Sequence, residues 1–235
     1  SAKIANKKGA ADKLRSQVFT KALADVVIAA KSGGGDPETN FLLRIAMERS
    51  RKMNVPKDNI ERAILKGTGG DGKGYEDINY EGYGPHGIAI FVEASTNNVT
   101  RTVANVRNIY NKNGGALGTQ GSLQFVYDRK AIFAIPQGEL DEDDFTMEMI
   151  DVGAEDIELE DGIFEVTGPM DVFGQIQVKL QELNITPDEA GLEMVPNNYK
   201  EVSDAEYADV EKIIDLLNDD EDVITVYHNM ELAEE

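Results

Sequence analysis

The chain has no cysteine among its 235 residues. That excludes a disulfide framework, a thiolate metal site and a thiol nucleophile. Histidine is almost as scarce: only His86, in a Gly-Pro turn, and His228, at a strand end. Around neither can a metal-ligand spacing or a Ser-His-Asp pattern be read, so no metal, cofactor or catalytic role is expected. No stretch approaches the ~20 apolar residues of a membrane-spanning helix. The leading segment is basic but lacks an apolar run, so neither a signal peptide nor a membrane partner is expected. No aromatic ladder accompanies the N-terminal lysines and arginines, which argues against base stacking as their main mode.

Positive charge is missing from most of the chain as well. Residues 131–235 hold 3 basic and 31 acidic side chains, residues 67–130 hold 6 of each, and residues 1–66 hold 14 basic against 7 acidic. An overall charge of -21 therefore hides a segment of +7 at one end. Such a segment is the electrostatic footprint of a polyanion partner, most often nucleic acid. The bland alternative is a solvated helical bundle that happens to be basic. Hydrophobic residues at 41% suffice for packed cores, and the length accommodates two or three domains.

Periodicity divides the chain the same way. From residue 10 to 31, Phe19, Leu23, Val26, Val27 and Ala30 recur at the spacing of one helical face. After Gly33-Gly34-Gly35, Asp36 as N-cap and Pro37 as first helical residue predict a second helix to about Met53. A third follows Pro56, with Ile60, Ala63 and Ile64 inward. Residues 66–74 read as a glycine-rich linker with no apolar side chain to fix an orientation. Strands are expected at residues 75–83 and 87–94, a helix at 98–113 and a strand at 122–127. Residues 131–196 then read as a complete βαββαβ series, the ferredoxin-like order. Residues 203–228 supply a further helix and strand. The expected fold class is α+β: a three-helix bundle followed by two ferredoxin-like α/β domains, one inserted into the other. The expected domains are residues 1–74, residues 75–130 plus 197–235, and the insert 131–196.

Two motifs look like chemistry and are better read as structure. Gly67-Thr68-Gly69-Gly70-Asp71-Gly72-Lys73 fits GxxxxGK, but Gly74 stands where a P-loop needs Ser or Thr. A helix precedes and a strand follows, the reverse of the P-loop context, so a linker fits better. Asp141-Glu142-Asp143-Asp144 is expected to start a helix, where negative charge complements the dipole, rather than hold a cation.

The basic residues carry more. Lys3, Lys7, Lys8, Lys13, Arg15 and Lys21 crowd the leading arm and first helix. Arg44, Arg51, Lys52, Lys57 and Arg62 lie on the next two, and Arg101 and Arg107 on the helix after the first strands. These thirteen are the candidate nucleic-acid contacts, through phosphate and shape rather than base edges. The three helices show no recognition helix rich in Arg, Asn and Gln for a major groove.

Residues 80–93, YEGYGPHGIAIFVE, resemble the YebC family, which includes a mitochondrial translational activator of cytochrome c oxidase subunit I. The similarity continues through Thr96-Asn97-Asn98-Val99-Thr100-Arg101-Thr102, Gly114-Gly115 and Gly118-x-x-Gly121-Ser122. Upstream it includes Phe19-Thr20-Lys21, Gly33-Gly34-Gly35-Asp36-Pro37 and Pro56-Lys57-Asp58-Asn59-Ile60-Glu61-Arg62-Ala63-Ile64. The family's usual basic opening with an aromatic residue is reduced here to Lys3-Ile4-Ala5-Asn6-Lys7-Lys8. The resemblance implies three domains, a cytoplasmic setting and a non-enzymatic regulator of gene expression. It implies two roles: a ribosome-associated factor that helps translate difficult sequences such as proline runs, and a DNA-binding transcriptional regulator. The acidic half would resist lying along DNA, whereas a ribosome offers rRNA to the basic end and basic proteins to the acidic one. The contending class is a small-molecule binder or enzyme built on the ferredoxin-like unit, which needs a pocket of convergent polar groups that the sequence does not display.

Overall fold

The structure, a computed structural model, describes residues 11–69 and 75–233, with side chains from residue 19 onward. Lys3, Lys7 and Lys8 lie outside the described residues. The chain begins with three helices, α1 (Ala11–Gly33), α2 (Phe41–Lys52) and α3 (Lys57–Gly67). Small residues on the inner face of α1, among them Ala22, Ala29 and Ala30, let α2 and α3 pack close. Leu43, Val55, Ile60 and Ala63 complete this core.

Helix α2 starts later than the Asp36-Pro37 signal predicts. Asn40 is its N-cap, accepting from the Leu43 amide at 3.1 Å. The Asn40 side-chain amide donates to the carbonyls of Ala29 and Gly34, both at 2.8 Å. One buried side chain thus satisfies the end of α1 and the start of α2 together. Asp36 caps a separate turn instead, accepting from the Glu38 amide at 3.0 Å.

The second layer is a four-stranded antiparallel sheet of order β3-β1-β2-β9, from β1 (Glu76–Tyr83), β2 (Ala89–Thr96), β3 (Ala116–Leu117) and β9 (Val223–His228). Helices α4 (Val99–Lys112) and α7 (Asp204–Asp219) pack on one face. Ile88, Ile90 and Val92 meet Val106 and Tyr110 of α4 and Val210, Ile213 and Leu217 of α7 there. Asn98 caps α4, and a reciprocal Ser203–Glu206 capping box starts α7.

Between β3 and α7 the chain builds a second sheet, of order β5-β6-β4-β7. Its elements are β4 (Tyr127–Pro136), α5 (Glu142–Asp151), β5 (Asp156–Glu160), β6 (Ile163–Pro169), α6 (Phe173–Glu182) and β7 (Glu189–Pro196). This is the ferredoxin-like strand order. The first sheet shares its layering of four antiparallel strands under two helices but places its β1–β2 hairpin at the centre. A short parallel pair, β8 (Lys200–Val202) and β10 (Met230–Leu232), closes the chain. Asp141 caps α5 by accepting from the Asp144 amide at 3.0 Å, so the acidic run starts a helix.

The strand expected at residues 122–127 is a series of turns, and only Tyr127 enters β4. The buried Glu81 carboxylate accepts from the Gly121 and Leu123 amides and holds this segment off the sheet. Gly82, beside it, admits no larger residue. A Cβ there would lie 2.5 Å from the Ala116 carbonyl oxygen and 2.9 Å from the Tyr110 ring.

The bundle does not hang free on its glycine-rich connection. Ile224 of β9 is part of the bundle core. Lys21 pairs with Glu193 of β7 at 2.7 Å, and Arg49 bridges Asp25 at 3.1 Å and Glu189 of β7. Burial foremost, with Glu189 and Glu193, pushes the Asp25 carboxyl up to about 6 against the pull of Lys21 and Arg49.

Two outcomes are expected. Gly82→Ala should destabilise the protein by about 1–3 kcal/mol, read from urea unfolding, because neither the Ala116 backbone nor the packed Tyr110 ring can yield cheaply. The second concerns pH. A carboxyl whose pKa is higher folded than unfolded holds its proton more tightly in the folded state. Stability should therefore fall as pH rises from the ordinary 3.8 of Asp25 to about 6, and stay at the lower level above that. Asp25→Asn should flatten this part of the stability–pH curve, leaving the contribution of Glu165, which burial and Glu193 also raise. An unchanged curve would show that another group titrates.

Candidate nucleic-acid interface

The thirteen candidate cations fall into distinct environments. Lys21 is engaged at the joint with the second sheet, paired with Glu193 at 2.7 Å. Burial alone would lower its pKa, but Glu193, Asp25 and Glu189, with the hydrogen bond to Glu193, raise it above the ordinary lysine value. Its charge is matched by these carboxylates, although its side chain is 45% exposed. Arg101 is likewise engaged. Its Nε and Nη2 donate to Asp222 at 3.2 and 2.8 Å, and the Thr102 hydroxyl donates to the same carboxylate at 2.7 Å. Asp222 is buried, so Arg101 serves first as its counter-ion.

The other described candidates on the bundle face water. Arg51 and Lys52 close the last turn of α2, where positive charge complements the helix dipole, and Lys57 opens α3 across the tight turn at Asn54. All three are exposed. Among the described residues, the side chains of Arg51 and Lys52 make no ion pair or hydrogen bond, and Lys57 has only a 3.7 Å pairing with Glu61 on its own helix. Lys57 and Glu61 are 87% and 58% exposed, so water screens that pair and the lysine stays available. Arg44 lies two turns before Arg51 on the same face. Its guanidinium donates to the Pro37 carbonyl at 2.9 Å and lies 5.5 Å from the Phe41 ring centre. Arg62 is exposed on α3 and donates to Asn59. Lys13 and Arg15 fall in the first part of α1, before the described side chains. Arg107 is exposed on α4, on the first sheet's helical layer and not on the bundle.

Sequence reading missed how the bundle divides its charge. Lys21 and Arg49 face β7, while Arg51, Lys52 and Lys57 face solvent. The period does carry part of this. Lys21 and Asp25 are one turn apart on α1, so an inward Asp25 implies an inward Lys21. Nothing in the sequence names Glu193 as the partner of Lys21, or Glu189 as the partner of Arg49, each far along the chain. Phe125 was missed too: it is 84% exposed in the turns that precede β4, although aromatic residues are usually buried. His228, by contrast, is structural. Burial pushes its imidazole down to about 3, and its Nδ1 accepts from the Met230 amide at 3.2 Å.

The chain is similar to known proteins in both sequence and architecture. Residues 1–70 match the TACO1/YebC protein N-terminal domain, and residues 75–230 match the TACO1/YebC second and third domain. A probable transcriptional regulatory protein of Syntrophotalea carbinolica is 44% identical over 236 residues, covering 100% of this chain and 94% of its own. The probable transcriptional regulatory protein YrbC of Bacillus subtilis is 40% identical over 229 residues, covering 96% and 95%. The crystal structure of a conserved hypothetical protein, Aq1575, from Aquifex aeolicus superposes with a TM-score of 0.70 at 33% identity, covering 97% and 95% of the two chains. Matching over nearly the whole length, through the helical bundle and both sheets, the chain belongs to the TACO1/YebC family.

Proposed function

We propose that this protein is a non-enzymatic, nucleic-acid-binding regulator of gene expression that acts in translation, engaging rRNA on the ribosome with the exposed turn between α2 and α3. The supporting observation is the division of cations within the bundle. Lys21 and Arg49 are matched by carboxylates of β7, so among the described side chains of the bundle the exposed charge left for a polyanion includes Arg51, Lys52 and Lys57, with Arg44 and Arg62 nearby. Phosphate contacts by such residues give affinity with little sequence preference. The acidic remainder, residues 131–235, is suited to basic ribosomal proteins and ill suited to lying along a nucleic acid. In this reading residues 75–130 plus 197–235 form one unit and residues 131–196 an insert, and the acidic surface is shared between the insert and residues 197–235. The setting is cytoplasmic; no described helix is long and apolar enough to cross a membrane. The second reading, a DNA-binding transcriptional regulator, is favoured by the names of the relatives.

Neutralising Arg51, Lys52 and Lys57 together to Gln should weaken binding to an rRNA fragment and to random duplex DNA alike. The slope of log affinity against log salt should shrink by about 0.7–0.9 for each phosphate that is no longer neutralised. Lys21→Gln should lower stability and leave that slope unchanged. An unchanged slope in the triple variant would remove this turn as the interface. Crosslinking in cells followed by sequencing separates the two readings: enrichment of rRNA supports translation, and enrichment of one operator sequence supports transcription.

A further inference from the structure

A second cationic feature lies on the other side of the bundle, where it meets the first sheet. Gly67, the last residue of α3, lies against α1 so closely that a Cβ would be 2.5 Å from the Val27 carbonyl oxygen and 2.7 Å from Ala30 Cβ. This contact brings the last turns of α1 and α3 together, and each of those turns carries a lysine, Lys31 and Lys66. Both lysines line a polar cleft with Tyr75, Asp77 and Ser95. Asp77 and Ser95 are opposite partners on β1 and β2, so one rung of the sheet contributes both.

We propose that this cleft binds a phosphoryl oxyanion, held by Lys31 Nζ, Lys66 Nζ and Ser95 Oγ. Ser95 is 1% exposed, and its hydroxyl has no hydrogen-bond partner among the described residues. A buried hydroxyl left unpaired is unfavourable, and an acceptor oxygen in the cleft satisfies it. Lys66 donates to the carbonyls of Glu221 and Val223, which leaves one of its three protons free. Among the described residues, Lys31 is paired with Asp77 alone. The Asp77 side chain is 70% exposed, so that pair is screened by water and yields to a better-seated anion at small cost. The donors come from three separate elements and line one cleft, which suits a tetrahedral group with several oxygens better than a two-oxygen carboxylate.

The charge state agrees. Burial is the main influence lowering the Lys66 pKa, and the Lys31 ammonium adds to it, together outweighing Asp222, Asp220 and Glu221. Of these carboxylates, Asp222 is already engaged by Arg101 and Thr102. An anion between the two lysines counters both the burial and the mutual repulsion. The site is separate from the α2–α3 turn and does not depend on it.

The test uses the full chain and two-dimensional amide NMR at constant ionic strength. Inorganic phosphate, with chloride as control, should shift the amide signals of Lys31, Gly67 and Ser95 saturably. Ser95→Ala and Lys31→Gln should each weaken phosphate binding, by about threefold and about tenfold, the larger effect belonging to the charged partner. Both should keep the wild-type spectrum elsewhere, since neither side chain is part of a hydrophobic core. A nucleoside 5′-monophosphate and a dinucleoside monophosphate, whose only phosphate is an internal diester, identify the source. Tighter binding of the first assigns a free nucleotide, and equal or tighter binding of the second assigns a nucleic-acid backbone. Neutralising Arg51, Lys52 and Lys57 should leave phosphate binding intact, so failure of the α2–α3 interface is distinguishable from failure here. Equal shifts with chloride, or wild-type phosphate affinity in both Ser95→Ala and Lys31→Gln, would overturn the proposal.

Discussion

The arrangement of the whole molecule rests on the ionic cluster between the helical bundle and β7. Asp25, Glu189 and Glu193 surround Lys21 and Arg49 where α1 and α2 meet the second sheet. Each group is partly withdrawn from water, so each needs its neighbours: removing one partner strands another charge in a low-dielectric setting. The cluster sets which face of the bundle turns inward, and therefore which cations stay outside. Burial, helped by the surplus of carboxylate, explains why Asp25 holds its proton to about pH 6. Without these contacts the glycine-rich connection after α3 would leave the bundle's orientation open.

Around that joint the two sheets are linked by less ionic means. The Tyr127 hydroxyl, at the start of β4, donates to the Ala89 carbonyl at 2.8 Å. Its ring lies 6.0 Å from that of Phe91, which in turn lies 6.4 Å from Tyr227. Burial drives the pKa of Tyr127 upward, so the phenol stays a donor at physiological pH. Arg129 adds a 2.7 Å pair with Glu93. Apolar residues on the sheet face opposite α4 and α7 thus form a small second core, closed by one buried hydrogen bond. The first sheet is sandwiched, with its own helices on one side and the bundle and second sheet on the other.

On the two proposals made above, an acidic protein would meet phosphate in two ways. One is an exposed basic turn that can contact a long polyanion from outside. The other is the proposed site in the cleft at Lys31, Lys66 and Ser95, partly buried, where a single phosphoryl group would meet donors from three elements. The two differ physically. The exposed turn works by long-range attraction and weakens with salt, whereas the cleft works by directional hydrogen bonds that salt screens less.

Much of the fold was legible in the sequence because local rules decide it. The 3.6-residue spacing of Val26, Val27 and Ala30, the caps Asn98 and Asp141, and the βαββαβ order of residues 131–196 each follow from patterns within a few residues of one another. Local reading went astray where a distant side chain competed for the same backbone. Asn40, bonded to Ala29 and Gly34, started α2 four residues beyond the Asp36 signal. Glu81, forty residues before Gly121, kept the segment ahead of Tyr127 in turns. The candidate site shows the same division. That the cations gather in the first quarter is a property of the sequence. Which of them are neutralised depends on β7, placed against the bundle only when the whole chain has folded. Electrostatic pairing acts through space, and only tertiary structure decides that Lys21 meets Glu193 while Lys52 meets water.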